Sequence, residues 1–96
     1  MQMESLKPIA DFFTAIEKDA RISVTHIAVY TAVWRYWQLS PGSNSFRVYS
    51  YEIMRLAKIS ARTTYCKTMS ELSQYGYLDY ESSYKRTEAS LIRLFI

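Results

Sequence analysis

The chain has 96 residues, 49% of them apolar and 16% aromatic, and a net charge of +3. That length and content predict one domain over 1–96 built on one core, argue against extensive disorder, and leave no run of roughly 20 apolar residues for a membrane span. The positive excess is small but uneven, since Arg55, Lys58, Arg62 and Lys67 fall between positions 55 and 67 with no acid among them, which permits a polyanionic partner.

Along the chain, Ile9, Phe12, Phe13 and Ile16 recur at spacings of three and four, which predicts a first helix over 9–18 with Pro8 in its first turn. A second helix is expected from 23 or 24 to 38. It carries Ile27, Tyr30, Val33, Trp34 and Trp37 on one face, with Val29 and Tyr36 beside them. A helix apolar around most of its circumference is either the central buried one or faces a second subunit, so a homodimer is one expectation.

The stretch 40–45, with Pro-Gly and a Ser/Asn cluster, reads as a loop, and Phe46, Val48 and Tyr49 as a short extended piece. Ser50 is then positioned to cap a helix of about two turns through Ile53, Met54 and Ala57. After the interruption at Lys58-Ile59-Ser60, Ser60 is positioned to cap a helix over about 61–75 whose inner face holds Tyr65, Met69, Leu72 and Tyr75. Gly76 sits where a left-handed terminator belongs.

Past Gly76 the period changes towards two, so 77–81 and 90–95 are predicted to be strands. The polar residues between them, with Lys85 and Arg86, form the tip of a hairpin. The expected core joins Phe12, Ile16, Tyr30, Trp34, Ile53, Tyr65, Met69, Leu72, Leu78 and Leu91.

Helix, tight turn, second helix ending at Gly and then a hairpin is the order of the carboxy-terminal half of a winged helix. The run from Ile59 to Leu72, followed by Gln74-Tyr75-Gly76-Tyr77-Leu78, resembles bacterial winged helix-turn-helix DNA-binding proteins. It is also similar to short winged-helix proteins of mobile elements and of phage or plasmid replication. The resemblance spans about 46–96. It implies a mainly α fold with three or four helices and a two- or three-stranded antiparallel wing over about 77–95.

The function it implies is sequence-specific binding of double-stranded DNA, as a transcriptional regulator or an accessory factor of a mobile element. The recognition helix would lie in the major groove and the wing on flanking DNA. By position, Ser60, Arg62, Thr63, Thr64 and Lys67 would lie at the start of that helix, and Lys85 and Arg86 on the wing. Arg62 suits guanine reading, and Thr63, Thr64 and Lys67 suit phosphates. The wing lacks the Gly and Pro common in such turns, and Lys58 stands where the helix-turn-helix turn often has Gly.

Catalytic chemistry has little to work with. His26 is the single histidine and Cys66 the single cysteine, and two glycines supply no phosphate-cradling loop, so no enzyme activity, metal, cofactor or small-molecule ligand is expected. One cysteine and an amino terminus without a basic and apolar leader suit a cytoplasmic protein. The alternative is a winged helix that serves as a protein-interaction module and leaves DNA untouched.

Overall fold

Among the described residues, 3–39, 44–81 and 89–95 of a computed structural model, four helices and three strands follow one another. Their order is α1 (Met3–Ile16), α2 (Val24–Gln38), β1 (Ser45–Val48), α3 (Ser50–Ala57), α4 (Arg62–Gln74), β2 (Leu78–Glu81) and β3 (Ser90–Leu94). The fold is mainly helical with a small antiparallel sheet, arranged as a winged helix-turn-helix. No described helix is long and apolar enough to cross a membrane.

α1 begins at Met3, so Pro8 lies inside the helix and not in the expected first turn. Proline has no N–H to give to a carbonyl one turn back, and packing offsets that loss. Pro8 is buried, its carbonyl accepts the Tyr30 hydroxyl at 3.4 Å, and Phe12 stacks on the Tyr30 ring with centroids 3.9 Å apart. α2 is the central helix, burying His26, Val29, Tyr30, Ala32 and Val33, while Ile27, Trp34, Tyr36 and Trp37 pack around the rim of the core.

In the sheet β3 lies between the other two strands, in the order β1-β3-β2, and both pairings are antiparallel. Phe46 faces Ile92 across the first pairing, and Leu78 faces Leu94 across the second. Ser90, Ile92 and Leu94 therefore point inward and Leu91 does not, which corrects its expected place in the core. Leu91, Ile92, Leu94 and Phe95 allow two phases of alternation, and a one-residue shift reverses every side chain. The inward residues of the neighbouring strands select the phase.

Of the other expected core residues, Phe12, Tyr30, Ile53, Tyr65, Met69, Leu72 and Leu78 are buried, and Ile16 and Trp34 lie at the margin. Buried side chains from α1, α2, α3, α4 and all three strands make one continuous cluster. α4 is thus held from below by the α2 helix and from one end by the sheet, with its opposite face exposed.

Candidate nucleic-acid interface

The sequence places α4 after a turn of three residues, and the structure shows how that turn is made. Lys58 ends α3 in the left-handed region at φ 63°, and Ile59 N–H donates to Met54 O at 2.9 Å. The cap of α4 is Ala61, with φ −92° and ψ 118°, and not Ser60, which stands one residue earlier. A methyl side chain accepts no hydrogen bond, so the first N–H groups of α4 have no side-chain cap, and Ser60 itself is exposed.

Arg62, Thr63, Thr64 and Lys67 are all exposed. They do not share one direction. Thr63, Lys67, Ser70 and Gln74, spaced by four, three and four, form a single exposed row opposite buried Tyr65, Met69 and Leu72. Ser70 and Gln74 were not singled out from the sequence, although counting helical turns from Thr63 reaches both.

Arg62 lies one residue step, about 100°, around from that row. Its Nη1 donates to Ser50 Oγ at 2.8 Å, which turns the guanidinium towards the start of α3. The same flank approaches the sheet. Burial pushes the Tyr65 and Tyr80 phenols upward in pKa, and the Arg62 charge is close enough to oppose this slightly. The Tyr65 hydroxyl has no hydrogen-bond partner among the described residues.

On the other flank a polar groove of about 380 Å³ runs between α4 and the start of α2, lined by Ser23, Thr25, His26, Thr64, Lys67, Thr68 and Glu71. Its floor is fixed. His26 is buried, and its Nδ1 accepts the Ser23 backbone N–H at 3.0 Å, so Nε2 carries the proton and donates to Glu71 Oε1 at 3.0 Å. Glu71 is the one acidic residue of α4, and this bond draws it back from the exposed row. Thr68 is likewise occupied, donating to Thr64 O at 2.7 Å.

The wing residues Lys85 and Arg86 lie outside the described residues. At the base of the wing, Arg47 on β1 and Arg93 on β3 are exposed, and Arg93 makes a long contact of 3.9 Å with Asp79. Among the described residues no group of three or more His, Cys, Asp or Glu is placed to hold a metal ion. No family model, curated protein or solved structure matches this chain.

Proposed function

We propose that this protein binds double-stranded DNA sequence-specifically, with α4 in the major groove and the wing, including Lys85 and Arg86, on flanking DNA. One observation carries the reading. The single carboxylate of α4 is withdrawn against His26, leaving an exposed row of Thr63, Lys67, Ser70 and Gln74 without negative charge, beside uncapped N–H groups and Arg62. Gln is suited to adenine, Lys to guanine or phosphate, and hydroxyls to either backbone or bases.

The test is titration of a labelled duplex at several salt concentrations. Log affinity should fall linearly with log salt, with a slope set by the number of phosphates neutralised. Lys67→Glu should abolish most of the binding while the thermal melt is retained. A chain that forms no saturable duplex complex at low salt is not a DNA-binding protein of this kind.

A second reading, protein interaction without DNA, is favoured by an apolar groove of about 510 Å³ between α2 and α3. It is lined by Ala28, Thr31, Ala32, Trp34, Arg35, Leu56 and Ala57, and Leu56 is 45% exposed. The homodimer expected from the apolar α2 helix would use the same face, on DNA or free of it. Sedimentation as a monomer at high micromolar concentration, with and without DNA, would remove it.

A further inference from the structure

We propose that Ser50 and Arg62 act together as a clamp on a backbone phosphate of the duplex, leaving base reading to the row of Thr63, Lys67, Ser70 and Gln74. This rests on the DNA-binding reading above and assigns a division of labour within it. The major groove is about 12 Å wide, and an α-helix with its side chains measures about 10–12 Å across, so a docked helix fills it. The row facing straight out then meets base edges. Side chains about 100° around the helix meet the groove wall, which is phosphate.

Arg62 is on that flank, and Ser50 holds it there. The hydrogen bond from Arg62 Nη1 to Ser50 Oγ, 2.8 Å long, joins α4 to the first turn of α3. Ser50 Oγ accepts in this bond, and its own proton has no acceptor among the described residues. Among the described residues the remaining guanidinium N–H groups have no hydrogen-bond partner, so Arg62 and Ser50, already joined at 2.8 Å, offer neighbouring donors of the kind that the oxygens of one phosphate accept. A guanine reader needs the opposite arrangement, with the guanidinium fork projecting along the outermost row. Ser50 is therefore a positioning residue for Arg62, and it contributes one donor of its own. Tyr49, not Ser50, is the cap of α3, so removal of the Ser50 hydroxyl leaves that helix start intact.

The experiment measures wild type, Ser50→Ala, Ser50→Thr, Arg62→Ala and Gln74→Ala on two probes over a salt series. One probe is a mixed-sequence labelled duplex, and the other is the duplex the wild type selects from a randomised pool. Arg62→Ala should weaken both complexes alike, roughly tenfold, and flatten the log-log salt slope by about 0.9. Ser50→Ala should weaken both by a smaller common factor, and Ser50→Thr, which keeps the hydroxyl, should restore wild-type binding. Gln74→Ala should lose affinity on the selected duplex only. A single methylphosphonate linkage at the clamped phosphate should weaken the wild type and leave Arg62→Ala unaffected.

Loss confined to the selected duplex in Arg62→Ala would overturn the clamp and make Arg62 a base reader. Ser50→Ala binding like wild type, with Arg62→Ala impaired, would remove Ser50 from it. Absence of any wild-type complex would instead overturn the DNA-binding reading itself, and the clamp with it.

Discussion

The end of α3 and the end of α4 close with the same hydrogen bonds around different residues. At the first, Ile59 N–H donates to Met54 O at 2.9 Å and Lys58 N–H to Arg55 O at 3.4 Å. At the second, Tyr77 N–H donates to Leu72 O at 2.9 Å and Gly76 N–H to Ser73 O at 3.1 Å. This paired pattern is the Schellman turn, whose pivot residue is left-handed. The pivots are Lys58 at φ 63° and Gly76 at φ 87°. Glycine adopts that conformation freely, whereas a residue with a Cβ carries about 1–2 kcal/mol of strain there.

The strained turn is the one that aims α4, and the relaxed one feeds the sheet. Strain at Lys58 is tolerated because the residues around it bring other things. Ile59 and Met54, the apolar pair that flanks such a turn, both pack at the edge of the core, and Lys58 adds a cation beside the proposed interface. At Gly76 the corresponding pair is Leu72, fully buried, and Tyr77, half-buried.

The largest difference should lie in that packing. Leu72→Ala is expected to cost about 2–5 kcal/mol in urea unfolding, and Met54→Ala clearly less, since only part of Met54 is removed from water. Equal losses would mean that both turns rest on the core to the same degree. Next is the backbone itself. Gly76→Ala should cost about 1–2 kcal/mol, all of it conformational, because a Cβ built at Gly76 meets nothing within 4 Å. Gly76→Asn should recover part of the loss, since Asn enters the left-handed region more readily.

The reciprocal change is smaller. Lys58→Gly should stabilise the chain by about 0.5–1 kcal/mol, the relief of strain being partly offset by the greater freedom of glycine in the unfolded state. Under the proposed function the same variant should bind duplex DNA more weakly, having lost a cation. A destabilised Lys58→Gly would show that the lysine side chain holds the turn, and the comparison with Gly76 would fail.

These two turns also mark what the sequence discloses. Gly76 is visible as a terminator because glycine is the residue that such an end prefers, and the switch from helical to alternating period follows it at once. Lys58 interrupts the pattern just as sharply, yet its residue type gives no sign of the left-handed geometry. The exposed positions of Arg62, Thr63, Thr64 and Lys67 follow from periodicity alone. The direction of Arg62 does not, since it depends on Ser50, twelve residues away on another helix. The His26–Glu71 bond joins residues 45 apart and has no local signature. The outward position of Leu91 is hidden for a different reason, since its strand has apolar residues on both faces and its phase is set by its neighbours.

The smallest expected effect concerns what clasps the Gly76 turn and has no counterpart at Lys58, whose neighbours Ala57 and Ile59 carry no polar side chain. Asp19, between α1 and α2, accepts Arg21 Nε on Oδ1 and Nη2 on Oδ2, each at 2.8 Å, and the Tyr77 hydroxyl on Oδ2 at 2.5 Å. Arg21 also lies over the Tyr75 ring, 4.0 Å from its centroid, so both residues flanking Gly76 are held. The Arg21 side-chain bonds, and after them the Tyr77 bond, hold the Asp19 carboxyl well below the usual carboxylate range. Burial first, and then the bond to Asp19, push the Tyr77 phenol up to about 12. A depressed carboxylate stabilises the fold fully above its unfolded pKa of about 3.9, and that contribution is lost as the pH falls towards the folded value. A raised phenol stabilises below about pH 10 and loses its contribution as the pH rises towards 12. Melting temperature should therefore fall between pH 4 and pH 2 less steeply in Asp19→Asn than in wild type, and the alkaline fall should flatten in Tyr77→Phe. Arg21 is more than half exposed, so salt should shrink the acid effect further. Identical acid limbs in wild type and Asp19→Asn would show that the clasp contributes no stability, leaving Gly76 and the buried Leu72 to form the turn alone.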